Sequence, residues 1–200
     1  MKQNGFAQWE KEIAAFEAAD RRRRPAPGGI VFTGSSTIRK WTTLERDFAP
    51  LSVLNRGFGG SQTVDAAHFV PRIVAPYRPR QVVLFSGTND IAAKKPPRQV
   101  ASDFLDFVQA VRWHAPGARI AYIEMTSSPS RWEQRDAVVE GNKIISRLCQ
   151  RNRVDFIPVR EKLLGPNGEP RPELFIADRL HLNGDGYKIL TDTVRPFLVG

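Results

Sequence analysis

Gln81-Val-Val-Leu-Phe85, followed at once by Ser86-Gly-Thr-Asn-Asp90, decides the fold class. After its first residue the run is apolar at every position rather than at alternate ones, the pattern of a strand buried on both faces. Four other short runs stand in the same rhythm. Ile30-Val-Phe-Thr33 precedes Gly34-Ser-Ser36, and Leu51-Ser-Val-Leu54 precedes Asn55-Arg-Gly-Phe-Gly-Gly60. Arg119-Ile-Ala-Tyr-Ile123 and Val154-Asp-Phe-Ile157 complete the set. Helical patterns separate the runs. Phe6, Trp9, Ile13 and Phe16 recur at helical spacing, so the first twenty residues read as an amphipathic helix stopped by Pro25-Ala-Pro-Gly-Gly29. Val100, Phe104, Phe107/Val108 and Val111 form a second apolar stripe, and Val138, Ile145 and Leu148 a third within residues 131–150. Tyr187, Leu190, Val194 and Phe197 form the last, with Pro196 fraying or ending it. Doubly apolar strands alternating with helices predict a parallel sheet covered on both sides, a three-layer α/β domain. Residues 1–200 read as one such domain, with the helix of residues 1–24 packing on it.

Composition excludes several classes. At 41% hydrophobic and 26% charged residues, the 200-residue chain has the make-up of a folded globular domain rather than a disordered one. No apolar run reaches the roughly 18–20 residues of a membrane span, and the N-terminus is polar rather than a secretory leader, so a cytoplasmic location without stable membrane insertion is expected. One cysteine, Cys149, excludes a disulfide framework and a multi-cysteine zinc site. The net charge of +9 and a pI near 10.2 raise the question of nucleic acid. Yet the excess is scattered; its one dense run, residues 21–24, closes a helix where cations suit the macrodipole. The charge reads as a solvated surface or mild anion steering, and no nucleic-acid partner is expected.

In a parallel α/β sheet the loops beyond the strands' carboxyl ends carry the chemistry. Ser36, Gly60 and Asn89 follow the first three runs, and Asp178-Arg-Leu-His181 follows the fifth, just before the last helix. A serine hydroxyl attacks at neutral pH only if a base removes its proton. His68 and His114 fall inside helices, where a surface or packing role is expected, whereas His181 sits in a loop with Asp178 three residues earlier, a spacing that lets a carboxylate orient the ring toward a serine. Gly60 can bring a backbone N–H, and Asn89 a side-chain N–H, to a developing oxyanion. Each residue taken alone also has a plainer reading: Ser35 and Ser36 as helix N-caps, Gly60 and Asn89 as turn residues, the Asp178/His181 pair as chance or a helix start. There is no G-x-S-x-G elbow, Walker A loop, H-E-x-x-H or EF-hand loop. Gly57-Phe-Gly59 begins a dinucleotide fingerprint, but Gln62 stands where the third glycine belongs.

Four ordered blocks resemble those of the SGNH, or GDSL-type, esterases and acylhydrolases, across residues 31–183. They are Val31-Phe-Thr-Gly-Ser-Ser-Thr-Ile38, Asn55-Arg-Gly-Phe-Gly-Gly-Ser61, Gly87-Thr-Asn-Asp90 and Asp178-Arg-Leu-His181. The resemblance implies a flavodoxin-like sheet of five parallel strands and ester hydrolysis through an acyl-enzyme, with a small-molecule ester as substrate. It implies Ser36 as nucleophile, His181 as general base and Asp178 as its orienter. The Ser36 and Gly60 N–H groups and the Asn89 amide would form the oxyanion hole. No cofactor and no metal are implied. The family's G-D-S is Gly34-Ser-Ser36 here, which sets two hydroxyls side by side; Ser36 aligns with the family serine. Thr126-Ser-Ser-Pro-Ser-Arg-Trp132 is expected to wall the pocket, with Ser35, Phe58 and Trp132 as candidate substrate contacts and Trp132 alternatively a core residue. The competing readings are a flavodoxin-like phosphate- or flavin-binding module, cradling an anion on residues 33–37, and a basic nucleic-acid binder.

Overall fold

The computed structural model describes residues 5–200. Five strands form one parallel sheet in the order β2-β1-β3-β4-β5. They are β1 (Ile30–Gly34), β2 (Val53–Gly57), β3 (Gln81–Phe85), β4 (Arg119–Ile123) and β5 (Asp155–Ile157). Alternate residues of the same strand enter opposite cores, which is why the runs are apolar throughout. Val31, Val82 and Leu84 join one core, and Ile30, Phe32, Val83 and Phe85 the other. The first core is covered by α1 (Glu10–Arg22), α4 (Thr63–Ile73), α6 (Pro97–His114) and α7 (Arg135–Arg151). The second is covered by α2 (Ser36–Arg39), α3 (Leu44–Asp47) and α8 (Gly184–Val194), while the short α5 (Thr88–Ala92) follows the central strand β3 and gives Ile91 to the first core. The architecture is a three-layer α/β/α sandwich.

The expected apolar stripes face the core. Val100, Phe104, Phe107, Val108 and Val111 of α6 are buried, and α8 stops at Val194, just before Pro196. Two elements differ from the expectation. The N-terminal helix is a 3₁₀ turn at Ala7–Trp9 followed by α1, and residues 1–4 of the expected helix lie outside the described residues. Strand β2 runs Val53–Gly57 rather than 51–54, because its polar residues find partners. Asn55 donates to the carbonyls of Ile38 and Trp41 at 2.6 and 3.3 Å. The buried Arg56 donates to Asp20 at 2.5 Å and to the Tyr77 hydroxyl at 2.7 Å. A satisfied polar side chain can occupy a strand that hydropathy alone would end early.

Phe58 was a candidate pocket residue, and here the structure corrects the expectation. Its N–H donates to Gly34 O at 2.9 Å, which prolongs the β1–β2 pairing and turns the ring inward. The ring is fully buried, edge-on to Trp9 and Phe69, with centroids 5.6 and 5.7 Å away. Phe58→Ala is expected to cost about 3–5 kcal/mol of stability in a urea titration, as truncating a buried Phe leaves a cavity. A loss below ~1 kcal/mol would show that the site collapses around the gap.

Candidate active site

The sheet order reverses direction between β1 and β3, so the loops that follow these two strands part and leave a crevice at their carboxyl ends. Ser36 is the first residue of α2, two positions beyond β1. Gly34 is what lets the chain turn there. Its φ is +122°, and a Cβ on it would sit 2.0 Å from the Phe85 carbonyl oxygen of the neighbouring strand. Ser35 N–H donates to that same oxygen at 3.0 Å. Ser35 itself is 2% exposed and does not line the crevice, so it is no substrate contact. It occupies the N-cap position of α2 without making a side-chain capping bond. The two adjacent hydroxyls are thus separated by the strand's end: one is buried and the other faces the crevice.

His181 and Asp178 arrive from the loop before α8. The Asp178 carboxylate organises this loop. Its Oδ1 accepts from the Leu180 and His181 N–H groups, each at 2.9 Å, and its Oδ2 lies 2.6 Å from His181 Nδ1. To wrap around the carboxylate, Arg179 adopts a left-handed φ of +55°. Ile176 N–H closes the base of the loop on His181 O at 2.9 Å. A carboxylate can only accept, so the proton between the two side chains sits on Nδ1, and Nε2 of the neutral ring is an acceptor. Ser36 Oγ stands 2.9 Å from that Nε2 and donates to it. The bonds from the His181 ring and backbone hold the Asp178 carboxyl well below the usual carboxylate range.

On the other wall, Asn89 lies in the first turn of α5, and its Nδ2 donates to Ser61 O at 3.0 Å. Gly60 precedes Ser61 with a φ of +75° and is exposed. Among the described residues neither the Ser36 N–H nor the Gly60 N–H has an acceptor. Behind these loops the buried Asp90 ties them together. It accepts from Thr63 N–H at 3.0 Å and from Lys95 at 2.7 Å, and Lys95 also donates to Asp103 at 2.7 Å. Burial still pushes the Asp90 carboxyl up, with Lys95 working against it.

A cavity of about 30 Å³ lies in front of Ser36, bounded by His181, Asn89, Thr126, Ser128 and Arg131. Sequence reasoning named the segment 126–132 as a wall but singled out the wrong residue. Trp132 does not line this cavity, and the Arg135 guanidinium lies over its ring at 5.3 Å. Residues 129–134 are two short 3₁₀ turns joined by a kink at Arg131 (φ −129°, ψ 27°); Arg131 borders the cavity and Trp132, just past the kink, does not. His68 and His114 stay apart from the crevice on α4 and α6, with His68 stacked on Phe6 at 3.8 Å.

The sequence matches the GDSL-like lipase/acylhydrolase family over residues 29–189. The chain belongs to that family. Ester hydrolysis is, in general terms, the chemistry of a GDSL-like lipase or acylhydrolase. No curated protein matches the chain. Solved structures show the same fold at low identity. A GDSL-like lipase from Bacteroides thetaiotaomicron superposes with a TM-score of 0.75 at 20% identity, over 96% of each chain. An acetyl xylan esterase gives 0.73 at 20% identity, over 86% of this chain and 100% of its own. A lipolytic protein of the G-D-S-L family from Veillonella parvula gives 0.69 at 16%, over 83% and 95%. No helix among the described residues of this GDSL-like acylhydrolase is long and apolar enough to cross a membrane.

Proposed function

We propose that the protein is a serine esterase that cleaves small carboxylic esters through an acyl-enzyme on Ser36. The observation that carries this reading is the continuous chain from Ser36 Oγ to His181 at 2.9 Å and on to Asp178 at 2.6 Å. His181 Nε2 takes the Ser36 proton as Oγ bonds to the carbonyl carbon. The carbonyl oxygen, now negative, is met by the Ser36 and Gly60 N–H groups and by Asn89 Nδ2. The ester C–O bond then breaks, and the departing alcohol takes the proton from Nε2. Water repeats the sequence, and its oxygen leaves with the acyl group as a carboxylic acid while Ser36 regains its proton. A flavin- or phosphate-binding reading would give His181 and Asp178 no task.

The cavity beside Ser36 suits a short acyl group. At about 30 Å³ the space beside Ser36 is small, which favours a short acyl group such as acetyl over a longer chain. Across p-nitrophenyl esters from acetyl to octanoyl, kcat/KM is expected to be highest for acetyl and to fall by about tenfold or more. A rise with chain length would remove the short-acyl assignment. Absence of hydrolysis on every ester, acetylated sugars and lysophospholipids included, would count against the esterase reading itself.

A further inference from the structure

Arg131 is the unexplained cation of the site. Its side chain borders the cavity in front of Ser36, and among the described residues it forms no ion pair. Its one side-chain bond runs from Nη1 to Asn89 Oδ1, at 3.0 Å. The backbone fixes where that side chain starts. Arg131 N–H donates to Ser128 O at 3.1 Å, and Ser130 N–H donates to Arg179 O at 3.0 Å, within the loop that carries Asp178 and His181. Arg131 also departs from helical geometry inside its 3₁₀ segment, with φ −129° and ψ 27°.

The donor and acceptor inventory of these groups admits one arrangement. A guanidinium has five N–H donors and no acceptor, so it can meet Asn89 only at Oδ1. The Ser61 carbonyl has no donor, so it can meet Asn89 only at Nδ2, which it does at 3.0 Å. The two contacts pin the amide from both sides and exclude its flipped orientation. Nδ2 carries two hydrogens; one goes to Ser61 O, and the other remains for a ligand in the crevice. The bond to Oδ1 is charge-assisted, and drawing electron density toward Oδ1 makes the remaining N–H a better donor.

Resting on the oxyanion role proposed above for Asn89, we infer that Arg131 is a positioning residue that locks the Asn89 amide in its donating orientation and polarises it toward the oxyanion. It acts through Asn89 rather than on the substrate. Its influence therefore belongs to the transition state, where the oxyanion exists, and not to ground-state binding. An apolar residue at 131 leaves Asn89 Oδ1 without its donor, so Ser61 O alone holds the amide, and it removes the polarising charge. A lysine keeps a cationic donor, though not the planar fork.

The test is a double-mutant cycle with p-nitrophenyl acetate, on Arg131→Met, Asn89→Ala and the double variant, with Arg131→Lys as the conservative control. Asn89→Ala is expected to lower kcat by about 10²–10³-fold. Arg131→Met should lower kcat by about tenfold to a hundredfold with KM nearly constant. Arg131→Lys should recover part of that loss, and the double variant should be no slower than Asn89→Ala alone, since the arginine has nothing left to act on. Circular dichroism checks each fold, and Arg131→Leu replaces the methionine variant if that one does not fold. Multiplicative losses in the double variant, an unchanged kcat in Arg131→Met, or a raised KM at constant kcat would each overturn the inference and leave the esterase reading standing. An unchanged kcat in Asn89→Ala would instead remove the oxyanion role on which the inference rests.

Discussion

Ser36→Ala is expected to reduce kcat by about 10³-fold or more, while Ser35→Ala keeps most of the activity. The two serines are neighbours in sequence but not in environment. Ser36 Oγ reaches His181 Nε2 at 2.9 Å and borders the crevice. Ser35 is buried at the end of β1, with its backbone tied to Phe85 O. Without its nucleophile the site retains only the oxyanion donors and substrate binding, which sets the floor of residual turnover. Steady-state kinetics on p-nitrophenyl acetate measures both variants. Comparable losses at the two positions would mean that Ser35 shares in the chemistry or that its removal distorts the turn at Gly34.

His181→Ala is expected to cost nearly as much as Ser36→Ala, and Asp178→Asn less, because orienting a base matters less than supplying one. The pair should behave as a unit, so the Asp178→Asn/His181→Ala double should be little worse than His181→Ala. The asparagine can place an N–H₂ group where the carboxylate accepted from Nδ1, which favours the wrong tautomer of the ring. His181 can take the Ser36 proton only through an unprotonated Nε2. Asp178 should add no limb to the pH profile of kcat/KM near neutrality. The bonds from His181 depress its carboxyl, so it stays ionised until the pH drops below the usual carboxylate range. The sign for stability is the same. A depressed carboxyl contributes its stability above the unfolded-state pKa and loses it only as the pH falls through the lower, folded value. Independent multiplicative losses in the two singles and the double, or a fully active Asp178→Asn, would separate the pair.

The fold was legible because the sheet is buried on both faces. Val82, Val83, Leu84 and Phe85 alternate between two cores, so no polar position breaks the run. Strand β2 was misplaced because Arg56 lies within it, neutralised by Asp20 on α1, a partner 36 residues away. Hydropathy registers the arginine but not the distant aspartate. The positions of Ser36 and Asn89 at the carboxyl edge followed from the strand ends, and that of His181 from its loop just before the last helix. Side-chain direction did not. Phe58 and Gly60 are two residues apart, yet one completes the core and the other lies exposed on the rim, because the β1–β2 pairing persists one residue beyond the strand. Trp132 drew attention as an aromatic next to the crevice. The side chain that faces in is its neighbour Arg131, at the kink between two 3₁₀ turns, a backbone feature that residue type does not reveal.

If Ser36 carries the acyl group, a covalent phosphonate should mark that residue. The intact protein is treated with a p-nitrophenyl alkylphosphonate and digested with trypsin, and the peptide of residues 24–39 (the Arg24–Pro25 bond resists trypsin) is fragmented to place the adduct. That peptide contains both Ser35 and Ser36, so backbone fragmentation between them is the deciding step. The account predicts one adduct, on Ser36, formed in step with the loss of esterase activity and absent from Ser36→Ala. An adduct on Ser35, or complete inactivation with Ser36 unmodified, would contradict it.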